Sequence, residues 1–128
     1  MTVVIKHIEE IAPYEGEHAI QGIRFRPARQ ALGVSAWGMN VFDIDPHTTG
    51  HPEHDHKHDG QEELYVVLEG SIVLIADGKE TKVTRGQMVR VGPETTRKIV
   101  TREEGARVLA LGATPNKAYE ADPRLATT

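Results

Sequence analysis

Short runs of β-branched and aliphatic residues, separated by glycine, proline and Asp-Gly turns, fill most of this 128-residue chain. Alternating runs bounded by turn residues are typical of strands. Strands are predicted at residues 3–8, 23–26, 34–44, 63–68, 72–76, 80–84, 87–91, 96–101 and 106–111. Eight or more strands without a substantial helix predict an all-β architecture, either a closed barrel or two packed sheets.

Turn residues suggest how some of these strands connect. Asp77-Gly78 is a strong signal for a two-residue hairpin turn. Gly70 is predicted to end one strand before the next begins at residue 72. The run 96–101 is expected to pair with 106–111 through a turn at 103–105. Helix is expected only as one turn within 9–21 and as a short piece in the polar tail after Thr114.

Composition excludes several classes of function. The absence of cysteine rules out a disulfide scaffold, a thiolate zinc site and a cysteine nucleophile. Fifteen basic and 19 acidic residues give a net charge of −4 without a basic stripe, which argues against nucleic-acid binding. No apolar run approaches the roughly 20 residues of a membrane-spanning helix, and residues 1–6 do not resemble a signal peptide. We therefore expect one cytoplasmic domain whose partner is a small molecule.

Histidines are concentrated just before a predicted strand. His51, His54, His56 and His58 fall within eight residues. If 54–58 is extended, the last three share one face, because alternate strand residues point the same way. Glu63 opens the following strand and adds a carboxylate. Two imidazoles and a carboxylate suit non-haem Fe(II), and imidazole also suits Zn, Cu and Ni. The alternative is a solvated loop that binds metal only adventitiously.

The spacing of five residues in this region resembles the first motif of the cupin family. They are Gly50, His56, His58, Glu63 and Gly70. The resemblance implies a double-stranded β-helix, or jelly-roll barrel, within a single cupin domain over 1–128. The barrel core is expected over residues 32–112, between an N-terminal arm at 1–31 and a C-terminal tail at 113–128. It implies His56, His58 and Glu63 as metal ligands, and His54 on the same predicted face is a further candidate. These ligand types are compatible with a divalent Fe, Mn, Ni or Zn ion.

The second cupin motif is only half present. Counted from Gly86, its later positions hold Gly92, Glu94, Arg97 and Thr101. Arg97 therefore stands where the family has a histidine, and a shift of one position that honours Pro93 puts Lys98 there instead. No histidine follows His58, so this segment supplies no imidazole ligand.

Three arrangements of Arg97 remain open. In the first, the metal stays bound and the planar guanidinium holds an anionic substrate. In the second, Arg97 pairs with Glu63 and no metal binds, because a guanidinium and a divalent ion repel each other. In the third, Arg97 points aside and water completes the metal's coordination.

The expected pocket residues beside Arg97 are Gln61 and Tyr65, which share strand parity with Glu63. A surface amide and a core tyrosine are the alternative interpretations. We expect a metal-binding cupin that binds or acts on a small anionic metabolite, with dioxygenase- or isomerase-type chemistry. The alternative is a non-catalytic sugar- or metabolite-binding cupin, metal-free if Arg97 displaces the ion. The run 34–44 is apolar on both faces, which predicts a homodimer.

Overall fold

The computed structural model describes residues 2–123, which are almost entirely strand and turn. The strands are β1 (Ile23–Arg26), β2 (Gly38–Ile44), β3 (Glu62–Ala76), β4 (Lys79–Thr84), β5 (Met88–Val91), β6 (Arg97–Val100) and β7 (Ala106–Ala113). A 3-10 turn (Ile8–Glu10) and a five-residue helix, α1 (Ala28–Leu32), complete the regular structure of this region. The all-β prediction is confirmed, and residues 2–123 contain seven strands where eight or more were predicted.

The longest strand, β3, organises the antiparallel sheet. Its order is β1-β2-β7-β3-β4, and β5 and β6 also pair with β3. The first half of β3 lies between β5 and β7, and the second half lies between β4 and β6. The predicted break at Gly70 is wrong, because the strand continues through it. Gly70 instead adopts a positive φ of 71°, and the register shifts between Val67 and Glu69, so the strand bends without ending.

Other local expectations also differ from the structure. β6 pairs with the second half of β3, so the predicted pairing of 96–101 with 106–111 is wrong. Residues after β6 are held elsewhere: Thr101 N donates to Thr48 O, and His47 N donates to Arg102 O. Residues 2–22 contain no strand, so the predicted strand at 3–8 is also absent. Residues 114–123 contain no helix, and the rest of the predicted tail lies outside the described residues.

Apolar residues at alternate strand positions form the main core on one face of the sheet, which is called the inner face below. The main core contains Phe42, Ile44, Tyr65, Val67, Ile72, Leu74, Val83, Val91, Ile99, Val108 and Ala110. A smaller cluster of Ile11, Ala28 and Val41 packs on the other face of β2. The chain's own N-terminal residues therefore cover the face on which the homodimer was expected. The homodimer stays a prediction, but the apolar outer face of β2 no longer supports it.

The bend in β3 predicts a strong dependence on Gly70. Alanine at Gly70 would carry a strained positive φ and overlap the carbonyl oxygen of Gly105. Gly78 has a similar φ of 79°, but nothing in the described chain lies within 4 Å of its Cβ position. We expect Gly78→Ala to lose about 1–2 kcal/mol of unfolding free energy from backbone strain, and Gly70→Ala about 2–5 kcal/mol with overpacking added. Urea unfolding measures both, and equal losses would contradict the proposed overlap.

Candidate metal centre

Glu63 lies at the start of β3 with its side chain on the inner face, mostly buried at 14% exposure. Its Oε1 accepts a hydrogen bond of 2.9 Å from the Tyr65 hydroxyl. Burial raises the pKa of Glu63, but hydrogen bonding from His54, His56 and Tyr65 outweighs it and holds that pKa well below its usual range. The carboxylate is therefore ionised at neutral pH.

Two imidazoles approach the same carboxylate oxygen. His54 Nε2 and His56 Nε2 each lie 3.5 Å from Glu63 Oε1. The backbone fixes their positions: His54 exchanges two hydrogen bonds with Arg97, of 3.0 and 2.8 Å, and His56 N donates to Pro93 O at 2.9 Å. The extended spacing between the two histidines puts their side chains on the same side, as predicted from the sequence.

The other ring nitrogen of each histidine also has a contact. His54 Nδ1 lies 2.9 Å from Pro52 O, and His56 Nδ1 lies 3.1 Å from Asp59 Oδ1. An Nδ1–H donated to a carbonyl or carboxylate orients the ring toward the site. The Nε2 proton, which is shared with Glu63 in the metal-free protein, would be released when Nε2 binds a metal. The pKa of His56 is raised, chiefly by its hydrogen bond with Glu63 and against the effect of burial. The contact of Asp59 with His56 was not predicted from the sequence. The sequence feature that could have indicated it is a carboxylate three residues after a candidate ligand.

His58 does not join this group. The extended segment ends at His56, because Gly60 N donates to His56 O at 2.8 Å and residues 57–60 form a turn. The His58 side chain is 74% exposed and lies 3.4 Å from Asp59. The prediction that His54, His56 and His58 share one face is therefore wrong for His58. A ring nitrogen of His58 lies close to those of His56 and to the carboxylate of Asp59. The inner group consists of His54, His56 and Glu63, whose ligand atoms lie within 4.8 Å of one another.

Arg97 is fully buried beside the inner group, with its side chain 0% exposed. Its Nε lies 3.8 Å from Glu63 Oε1, an ion-pair distance without a hydrogen bond. Its Nη2 donates to Gly92 O at 3.0 Å, while Nε and Nη1 have no hydrogen-bond partner among the described residues. Of the three arrangements left open by the sequence, the structure rules out the one in which Arg97 points aside.

Gln61 and Tyr65 both lie at the site. Gln61 Nε2 is 3.5 Å from His56 Nε2, and its amide lies over Gly112. Tyr65 is only 2% exposed, and its pKa is raised strongly by burial and by the charge of Glu63. A phenol that stays protonated can donate to the carboxylate throughout the physiological pH range. Tyr65 therefore positions Glu63, while Gln61 borders the ligand atoms directly.

His51, the first histidine of the cluster, has a different environment. It is buried, and Ile99 N donates to its Nδ1 at 3.2 Å. Burial, with a smaller contribution from His54, lowers its pKa to about 4. His51 is therefore neutral at physiological pH and ties the histidine segment to β6.

The inner group has the chemistry of a transition-metal site. It offers two imidazole nitrogens and one ionised carboxylate, a set that suits Fe, Mn, Ni or Zn. Ligands at about 2.0–2.2 Å from one ion lie roughly 3–3.5 Å apart. The two 3.5 Å separations in the group are close to that range. The residues present therefore fit a divalent ion.

Comparison with known proteins identifies the family. Residues 40–112, more than half of the chain, match the sequence model of the cupin domain. The chain belongs to the cupin family. The matched region contains the inner group of His54, His56 and Glu63, and also Arg97 beside it. No curated protein matches the chain.

Solved structures similar to this cupin include three with named activities. A sugar phosphate isomerase from Silicibacter pomeroyi is 25% identical, with TM-score 0.64 over 80% of this chain and 68% of the other. The polyketide cyclase RemF from Streptomyces resistomycificus is 16% identical, with TM-score 0.73 over 95% and 89%. A predicted oxalate decarboxylase from Thermotoga maritima is 18% identical, with TM-score 0.68 over 87% and 99%. These likenesses support the cupin fold.

The described helices are short. None in residues 2–123 has the length and hydropathy required to cross a membrane.

Proposed function

We propose that this cupin binds a divalent transition metal (Fe, Mn, Ni or Zn) through His54, His56 and Glu63, and uses the site to bind and transform a small anionic metabolite. The observation that carries this proposal is the convergence of two Nε2 atoms on one carboxylate oxygen at 3.5 Å. When bound, a divalent ion supplies Lewis acidity toward an oxygen of the ligand. The proposed ligand set does not include His58, which the family resemblance implies as a ligand, because its ligand atom groups with Asp59 and not with Glu63.

The charges of the site favour an anionic ligand. Glu63 contributes one negative charge and Arg97 one positive charge, so they balance when both imidazoles are neutral. A divalent ion then leaves two positive charges in a mostly buried site, where an anion is strongly favoured. Arg97 also has two buried donor atoms, Nε and Nη1, without a protein acceptor among the described residues. A carboxylate or phosphate group matches both the charge and the donors.

Isomerase-type chemistry is the better supported of the two reaction types expected from the sequence. The similar protein from Silicibacter pomeroyi is a sugar phosphate isomerase, and a phosphate group carries the negative charge that this site favours. Tyr65 and Arg97 hold Glu63 in position, and Gln61 offers an amide beside His56. We therefore propose phosphorylated or acidic sugars as the first compounds to assay for turnover.

His54 and His58 provide a matched test of the metal site. We expect His54→Ala to weaken metal binding by about 100-fold or more, because it removes a ligand and not merely an outer contact, whose loss typically costs 10–100-fold. His58→Ala should leave the affinity of the inner site unchanged, because His58 lies outside that group. Competition with a chromophoric chelator measures both affinities. Equal losses, or a loss confined to His58→Ala, would contradict the proposed ligand set.

A metal-free binding protein is the second candidate. It is favoured by the position of Arg97, which lies 3.8 Å from Glu63 and balances its charge without an ion. Metal analysis of the purified protein, followed by turnover assays of sugar phosphates, separates the two functions. Stoichiometric metal with turnover supports the enzyme, whereas ligand binding by the metal-free protein without turnover supports the second candidate.

A further inference from the structure

Two glycines leave a strip of the inner sheet face without side chains beside Glu63. Glu63 of β3 lies opposite Gly112 of β7, and Gly112 lies opposite Gly38 of β2. Directly opposed residues of antiparallel strands point to the same face. The missing side chains at the two glycines therefore let groups from other segments approach the sheet next to the carboxylate, on the same face.

Side chains from two other segments make this approach. The Gln61 amide approaches Gly112 so closely that a methyl group built there would lie 2.7 Å from Nε2. Tyr119, from the segment after β7, approaches Gly38 in the same way, with its hydroxyl 2.6 Å from the corresponding position. Neither glycine has a positive φ. The absence of a side chain at both positions therefore permits the close approach of Gln61 and Tyr119, and backbone strain has no part in it.

Tyr119 is held over the strip by several contacts. The Arg29 guanidinium lies 5.3 Å from its ring centroid, a cation–π distance. The Thr114 hydroxyl donates to Asp59 O at 3.0 Å, which ties the segment carrying Tyr119 to the turn beside His56. Burial raises the pKa of Tyr119, as do the negative charges of Asp122, Glu63 and Asp59, and together they outweigh the opposing charge of Arg29. Tyr119 is therefore part of the electrostatic surroundings of the site.

An unpaired acceptor lies in the next row of the same face. Tyr65 of β3 lies opposite Ala110 of β7, which lies opposite Asn40 of β2. Asn40 Oδ1 is buried and has no hydrogen-bond partner among the described residues. A buried acceptor without a partner is unfavourable, and a ligand donor removes that cost. Ala110, a small residue, separates Asn40 from Tyr65.

We propose that these residues form a ligand pocket in which Asn40 accepts a hydrogen bond from a hydroxyl group of the ligand and Tyr119 limits the ligand's size. This inference rests on the proposed function, because the anionic group of the ligand is held beside Glu63 and Arg97. The ligand class becomes narrower: a small aliphatic anion with at least one hydroxyl group. Neither residue follows from the cupin motifs, because both lie outside them.

L-Lactate and propionate test the hydroxyl contact, because both carry a carboxylate and differ by one hydroxyl group. Their affinities are measured by calorimetry on metal-loaded protein. We expect Asn40→Leu, which removes the acceptor, to lower the preference for lactate roughly tenfold, the contribution of one hydrogen bond. Asn40→Ala provides a second variant if leucine prevents folding. If a folded variant keeps the same preference for lactate over propionate, the role of Asn40 is overturned. Chelation of the metal by the lactate hydroxyl would then account for the whole preference.

3-Phenyllactate tests the size limit. The measured quantity is the affinity for phenyllactate divided by the affinity for lactate. We expect this ratio to be at least about tenfold higher in Tyr119→Ala than in the unaltered protein. Gly38→Ala should act in the same direction, because its methyl group displaces the Tyr119 ring. Tyr14→Ala is the control, since the Tyr14 hydroxyl contacts His18 N and lies beside Gly16. An unchanged ratio in Tyr119→Ala, or an equal increase in Tyr14→Ala, overturns the role of Tyr119.

Separate measurements distinguish failure of this inference from failure of the proposed function. Metal content is determined before any ligand is added, so a protein that loads metal but shows neither preference contradicts only the pocket. A protein that does not load metal contradicts the proposed function. In that case urea unfolding of the metal-free protein still tests the Tyr119 contact, because a methyl group at Gly38 meets the Tyr119 ring. Gly38→Ala should lose less stability in the Tyr119→Ala protein than in the unaltered protein, and equal losses overturn that contact.

Discussion

Glu63→Gln is expected to lower metal affinity by more than about 100-fold, exceeding the loss from an outer contact. The amide keeps the shape of the side chain but removes the only negative charge in the inner group. It also leaves Arg97 as an unbalanced positive charge, which opposes a divalent ion at close range. Chelator competition at neutral pH measures the affinity, and metal analysis after dialysis gives the stoichiometry.

Glu62→Gln is the matched control for this experiment. Glu62 is the adjacent residue, points to the opposite face of β3, and pairs with Arg90 at the surface. The same chemical change one residue away should therefore leave metal binding unaltered. Equal losses in the two variants would mean that Glu63 contributes only through the net charge of the protein. Full affinity in Glu63→Gln would place the metal elsewhere.

Arg97→Met is expected to destabilise the metal-free protein by about 3–5 kcal/mol, because it removes one partner of a buried ion pair. The mostly buried Glu63 carboxylate then keeps only its contacts with the two histidines and Tyr65, and the Arg97 hydrogen bond to Gly92 O is lost. The same change should increase metal affinity, because it removes a positive charge beside the ion. Urea unfolding with a chelator present gives the stability, and chelator competition gives the affinity.

A surface arginine and a double variant complete this test. Arg90→Met breaks an exposed pair with Glu62 and should change stability by no more than about 1 kcal/mol. In Glu63→Gln/Arg97→Met, both charges are absent, so the loss of stability should be smaller than in Arg97→Met alone. A larger, additive loss would show that Arg97 stabilises the fold through packing and not through Glu63.

Much of this architecture was readable from local sequence patterns. Alternating apolar residues and the Asp77-Gly78 turn predicted most strands, and the spacing around Glu63 predicted the cupin family. The pairing of β6 with the second half of β3 was not readable, because it accompanies hydrogen bonds between residues 47–48 and 101–102 that fix the end of β6. Such contacts join segments more than 50 residues apart, and no local propensity encodes them.

The candidate site shows the same limit more sharply. Strand parity predicted that His54 and His56 share a side, and the structure agrees. Parity failed at His58 because a turn at 57–60 interrupts the extended segment, with Gly60 at φ 70°. The family spacing alone could not detect that turn. The relation of Gly38 to Glu63 also required the strand register, because 25 positions separate them in the chain.

The continuity of β3 affects where the polypeptide can be divided. One strand of 15 residues carries Glu63 near its start and pairs with four other strands along its length. Cutting the chain within 62–76 would therefore disconnect both halves of the sheet at once. Split-protein fragments and circular permutants of this molecule should have their new termini in connecting loops, where no such shared strand is interrupted.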